Sequence, residues 1–274
     1  MAGIRPRVEG GPRDAGPPRS ANGASSFHLD WQMPRHSGRD ARLAEVSAVL
    51  EILVPPEVPA LHFWALQVDF VDDGGTWGGA HTGLQWNKRY PDGTAVNWGG
   101  YASRELGGGV LAGTASELSG YADDPNTLAY PWQPGLSYRL RVYRSPDSPG
   151  AWRAEVTDLR SGLSSVIRDL LSGPGRGSGP SYLARPIVWS EVFADCDAPS
   201  VTVRWSDLQA LDENGTVIRP EGVRANYQAV QEGGCSNTSI GVDQAGGVLQ
   251  VTNVPRIVQQ GAVLALPRQP AQSA

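Results

Sequence analysis

The chain has 274 residues, a formal net charge of −5 and a sequence pI of about 5.4. That length can bury a full core without staples. The acidic balance argues against a basic nucleic-acid or anionic-membrane face, and no apolar run reaches the ~18 residues of a membrane-spanning helix. Gly (34), Pro (22) and Trp (9) are abundant, which suits many short strands joined by tight turns.

In chain order, residues 1–25 contain no apolar core of a signal peptide. Their Gly, Pro and Arg content gives nothing to bury, so the reading is a disordered segment. Without an export signal, the expectation is a cytoplasmic or non-classically exported protein. From residue 27 onward, period-2 alternation recurs. FHLDW (27–31) is a first strand. In 45–54, Val46, Ala48, Leu50, Ile52 and Val54 share one face. In 61–70, His62, Trp64, Leu66, Val68 and Phe70 share one face, with Phe63, Ala65, Gln67 and Asp69 on the other. Residues 80–87 and 94–101 flank a Pro-Asp-Gly turn at 91–93, a strong hairpin signal. Further strands are expected at 137–144, 151–158, 182–193, 201–210, 222–229, 237–243 and 248–253. Helical signal is weak and confined to 159–171, which reads as one or two helical turns or as a hairpin. GPGRGSGP (173–180) is a loop. These elements predict an all-β, antiparallel β-sandwich of jelly-roll type, one domain over 26–266 with a loose tail at 267–274.

Alternation sorts the polar residues. Leu84, Trp86, Val96 and Trp98 fall on one side of the hairpin and point to the core. His81, Gln85, Asn87, Asn97 and Tyr101 fall on the other, where strand 61–70 adds Gln67 and Asp69. Amides, an imidazole, a phenol and a carboxylate beside glycines can read a saccharide's hydroxyls, and the glycines leave room for approach. The plain alternative is the solvated side of an antiparallel sheet. Trp77 and Trp132 lie in turns and are either stacking platforms or loop anchors.

For catalysis, Glu191 and Asp195 lie four apart in SEVFADCD and would share a strand face as an acid/base pair. No nucleophile elbow, phosphate loop or zinc motif is present. The acidic stretches Asp72-Asp73 and ADDPN (122–126) offer oxygen ligands for Ca²⁺, though turn chemistry explains them equally; no other cofactor is expected. Cys196 and Cys235 fit either one disulfide or two free thiols.

The segments LHFWALQVDF, GGAHTGLQWN and AVNWGGY, followed by SYRLRVYR and AWRAEVTDL, resemble uncharacterised bacterial families of the concanavalin A-like lectin/glucanase sandwich superfamily. Gly83, Leu84 and Gln85 stand at its G-x-Q position and Trp98 in its Trp strand. The resemblance implies a sandwich whose sheet face binds carbohydrate. The glucanases' acidic motif is missing, so it carries over no catalytic residues. Three functions follow: a non-catalytic, lectin-like protein binding a saccharide or other polar ligand through Gln67, Asp69, His81, Gln85, Asn87, Asn97 and Tyr101; a glycoside hydrolase or lyase using Glu191 and Asp195; or an interaction module without a small ligand. The first is the main expectation.

Overall fold

The computed structural model describes residues 14–34, 42–121, 124–171 and 180–267. Residues 1–13, His36, most of the 173–180 loop and the tail from 268 lie outside them.

The described residues form two antiparallel sheets packed face to face. The front sheet runs, in spatial order, β17 (Val263–Ala265), β14 (Gly222–Tyr227), β1 (Ser25–Gln32), β11 (Tyr182–Val192), β3 (His62–Asp72), β4 (Gly75–Trp86), β5 (Thr94–Ala102), β7 (Asp124–Ala129) and β6 (Gly120–Tyr121). The back sheet runs β10 (Ser164–Leu170), β9 (Trp152–Asp158), β8 (Ser137–Arg144), β2 (Leu43–Val54), β12 (Thr202–Asp212), β16 (Val248–Val251) and β15 (Ser239–Val242), with β13 (Val217–Ile218) on the far end of β12. A single pairing, Leu183 with Leu43, joins the two sheets. Strands on either side of the glycine-rich 173–180 stretch enter the same two sheets, so both halves build one sandwich.

The core forms as the alternation requires. Phe27, Leu29, Trp64, Leu66, Val68, Phe70, Leu84 and Trp98 from the front sheet meet Val46, Ala48, Leu50, Ile52, Leu140, Trp152, Val156 and Trp205 from the back. Phe70 stacks on Trp77 at 5.0 Å and on Trp152 at 5.8 Å. Fully burying each such side chain contributes on the order of 2–3 kcal/mol. The β4–β5 hairpin turns where expected: Asp92 and Gly93 adopt positive φ (53° and 75°), and a Cβ on Gly93 would lie 1.7 Å from the Trp86 ring.

The structure decides two open alternatives and corrects one expectation. Trp77 and Trp132 are buried at 1% and 4% exposure, so neither is a stacking platform. Trp77 donates to Ser181 Oγ and Trp132 to the Gln85 carbonyl, so each indole N–H is satisfied inside the fold. Residues 159–171 form no helix: a turn with Gly162 at φ 73° leads into β10, because Asp158 accepts the Arg160 amide and closes the β9–β10 hairpin. Residues 14–25 of the expected disordered segment are held by specific hydrogen bonds, while 1–13 lie outside the described residues. Asp14 accepts from the Ser236 amide, Gly16 exchanges hydrogen bonds with Asp197 and Cys196, and the Arg19 amide donates to Gly233. Backbone groups of the 196–197 and 233–236 turns, with the Asp197 carboxylate, supply partners that composition does not reveal. Those turns are joined by a Cys196–Cys235 disulfide with Cα atoms 5.6 Å apart.

Candidate functional site

Residues opposite one another across a β-ladder share a face. On the front sheet, the face turned away from the core carries three cross-strand rows. Ser26, Glu191, Phe63, Gln85 and Ala95 form the first. His28, Trp189, Ala65, Gly83 and Asn97 form the second, and Asp30, Ile187, Gln67, His81 and Gly99 the third. Alternation that fills the core on one side therefore collects imidazoles, amides and carboxyls on the other.

The centre of this face is apolar. Phe63, Ala65 and Trp189 are buried as a second cluster with Ile187 packed against them, separate from the main core. Phe63 and Trp189 meet edge to face at 4.9 Å. His81 packs 5.5 Å from Phe63 and 5.6 Å from Trp189, while His28 flanks Trp189 at 6.1 Å. Trp189 is oriented by its indole N–H, which donates to Gln67 Oε1 at 3.0 Å. This surrounding penalises the charged imidazolium, and desolvation pushes both His28 and His81 down to about 4; the nearby Asp124 carboxylate pulls His81 the other way and loses. Both imidazoles are therefore neutral over most of the pH range.

Two polar groups flank the ring of Phe63 in the first row. Glu191 is half-buried, and desolvation raises its carboxyl above the usual range. A hydrogen bond from Asn22 Nδ2 to Glu191 Oε1 (2.9 Å) opposes that rise. Gln85 is buried at 5% exposure, and its Oε1 accepts from Tyr90 Oη at 2.9 Å. That bond, with a longer one from Thr127 Oγ1 at 3.3 Å to the same oxygen, fixes the carboxamide and leaves Nε2 as a donor that makes no hydrogen bond among the described residues. Glu191 thus offers a carboxyl that burial makes a weaker acid than a free glutamate, and Gln85 offers an oriented N–H.

The other expected site residues do different work. Asn97, 5% exposed, donates from Nδ2 to Thr127 Oγ1 at 3.0 Å. Asp69 is ion-paired with Arg185. Asn87 lies beyond the end of β4, where its Oδ1 accepts the Arg89 amide. Tyr101 is 51% exposed at the rim, opposite Gly79. Asp195 does not join Glu191 on a strand face: β11 ends at Val192, and Asp195 lies exposed in the turn beside the disulfide, its carbonyl accepting the Ala198 amide. Asp72 and Asp124, both in the stretches considered for Ca²⁺, accept local amides from Gly74 and Asn126. Among the described residues no group of three or more His, Cys, Asp or Glu side chains converges as a metal site. Two contributors to the site escaped the sequence reading. Trp189 lies two residues before Glu191, so the alternation already places it on this face. Asn22 carries no signal, because it arrives from a segment with no strand pattern.

No family model and no curated protein matches the chain. Solved structures similar in fold include scytalido-glutamic peptidase bound to a peptide-based transition-state analogue, at 12% identity and a TM-score of 0.45, covering 84% of this chain and 98% of that one. SCP-B, a member of the eqolisin family of peptidases in complex with the tripeptide Ala-Ile-His, aligns at 13% identity and a TM-score of 0.42, with the same coverages. These are likenesses of fold.

The main expectation of a non-catalytic, lectin-like protein is overturned. Most of its sugar-reading groups are engaged internally: Asp69 on Arg185, Gln67 Oε1 on Trp189, Asn97 Nδ2 on Thr127 and Gln85 Oε1 on Tyr90, so that of the Gln85 carboxamide Nε2 alone is left to offer. His81 has its ring against Phe63 and Trp189. A buried group already paired gains little from a ligand hydroxyl.

Proposed function

We propose that the protein is a hydrolase that cleaves peptide bonds at mildly acidic pH, with Glu191 moving the proton and Gln85 holding the carbonyl oxygen. The observation that carries this reading is the placement of a carboxyl with a raised pKa and an oriented carboxamide in one cross-strand row, on either side of Phe63. Their strands are two ladder spacings apart, about 10 Å between backbones, so both long side chains can reach a group lying over the ring. Amide hydrolysis requires one group to take a proton from water and return it to the leaving amine, plus a donor for the oxyanion. In this scheme the Glu191 carboxylate accepts a proton as water oxygen bonds to the carbonyl carbon. The carbonyl π electrons move to oxygen, where Gln85 Nε2 donates. The tetrahedral centre then collapses, the C–N bond breaks, and the Glu191 proton goes to the departing nitrogen.

Glycoside hydrolysis is disfavoured by the same geometry. It requires a second carboxyl within roughly 5–9.5 Å on the same cleft, and Asp195 lies off the strand in the turn. The Cys196–Cys235 disulfide favours an oxidising compartment over the cytoplasm.

The test is hydrolysis of an unfolded protein across acidic pH, read by mass spectrometry. The expected outcome is cleavage with an acidic optimum that falls at least ~100-fold in Glu191→Gln. Unchanged cleavage in that variant, or none by folded protein on a diverse peptide library, would sink the proposal.

A further inference from the structure

The arm formed by residues 14–24 ends on the proposed acid/base. Asn22 sits in a tight local turn in which its Oδ1 accepts the Ala24 amide (3.2 Å) and lies 2.9 Å from Ser20 Oγ, whose one proton is shared with the Ala24 carbonyl at 2.5 Å. With the oxygen so occupied, the amide nitrogen has one orientation, and it donates to Glu191 Oε1 at 2.9 Å. The arm itself is tied down by the disulfide-linked turns. Gly16 O accepts the Cys196 amide at 2.7 Å, Gly16 N donates to Asp197, and Arg19 N donates to the Gly233 carbonyl. Immediately after the arm, Ser25 Oγ accepts the Cys235 amide. The carboxamide is oriented by the Ala24 amide, and it lies on a segment fixed at several points.

From this geometry we infer that Asn22 is a positioning residue for Glu191: it fixes the carboxylate's orientation and stabilises its ionised form. The inference rests on the proposed role of Glu191. Other ionisable groups around Glu191 are His28 and Asp30 on β1, Asp69 on β3, His81 on β4, and Asp14 and Arg19 on the arm. Among the described residues none of these touches its carboxyl, so burial and the Asn22 amide govern its protonation. Donation to a carboxylate favours the charged form. Removing the donor therefore raises the carboxyl further, and the acid limb of kcat/KM moves to higher pH.

Two variants separate positioning from scaffolding. Asn22→Ala removes the donor, whereas Asn22→Asp keeps an oxygen for Ser20 and Ala24 but places a second carboxyl against Glu191. The acid limb is expected to move up by roughly one pH unit in Asn22→Ala and further in Asn22→Asp. The same shifts are expected in the Glu191 carboxyl resonance followed by NMR titration of ¹³C-labelled protein, which needs no activity. A purely structural role predicts that Asn22→Asp matches wild type. That result, or an unmoved Glu191 titration in both variants, overturns the inference. Absence of peptide cleavage with a shifted Glu191 titration would instead overturn the hydrolase reading alone.

Discussion

Tyr90 donates its hydroxyl to Gln85 Oε1 across 2.9 Å of buried space, and the two are linked through the same turn that closes the β4–β5 hairpin. The hairpin thereby sets which end of the Gln85 carboxamide faces the open side of the sheet. Tyr90→Phe should leave KM nearly unchanged and lower kcat by about 3–10-fold, because the amide then keeps only the longer Thr127 contact (3.3 Å) to hold it. Gln85→Ala should cost roughly 10²–10³ in kcat, as loss of an oxyanion donor does elsewhere. Steady-state kinetics on one cleaved peptide decide this; equal effects from the two variants would show that orientation is not what Tyr90 supplies.

Gln250 ties the two sheets together inside the core. Its Oε1 accepts Trp205 Nε1 (2.8 Å) and Ser190 Oγ (2.9 Å), while its Nε2 donates to the Phe27 carbonyl (2.6 Å). Gln250→Leu strands these buried groups and should destabilise the fold by about 3 kcal/mol. Adding Ser190→Ala and Trp205→Phe should recover part of that loss. Denaturant unfolding of the single and triple variants measures both, and a single variant as stable as wild type contradicts the tie.

Stability should fall on acidification in a defined window. His62 is 1% exposed, and burial pushes it down to about 4 although its Nδ1 contacts the Ala60 carbonyl. In the unfolded chain it titrates near ~6.5. The unfolded state therefore binds the proton first, so stability is full above ~6.5 and drops as pH falls towards 4. The shift corresponds to about 3 kcal/mol at most. His28 and His81, also pushed down to about 4, act in the same direction but are half-buried and better screened. His62→Gln should flatten the dependence of the unfolding midpoint on pH between 4 and 6.5. An unchanged slope would rule His62 out as its source.

The disulfide closes a 39-residue separation and anchors the arm that carries Asn22. Opening it with Cys196→Ser plus Cys235→Ser should cost about 3–4 kcal/mol on the loop-entropy account. It should also raise the Glu191 titration in the direction expected for Asn22→Ala. Thermal unfolding and the NMR titration read the two effects separately; lost stability without a titration change would show that the arm holds its place unaided.

The alternation alone determined much of this protein. Glu45 to Val54, Leu61 to Phe70 and the two strands around Asp92 and Gly93 repeat with period 2, and a strand can bury such a pattern only on one side. The core faces, the all-β class, the hairpin and the face shared by Gln67, His81, Gln85 and Asn97 were therefore legible before any coordinates. Tertiary structure decided what those side chains do, because partners come from residues distant in sequence. Gln67 is met by Trp189, 122 residues away, Asn97 by Thr127, and Glu191 by Asn22 from an arm whose composition promised no order. Asp195 stands four residues from Glu191, yet β11 stops at Val192, so linear spacing did not become a shared face. Local periodicity fixes which way a side chain points; what meets it there depends on long-range pairing, which a single sequence does not encode in any short pattern.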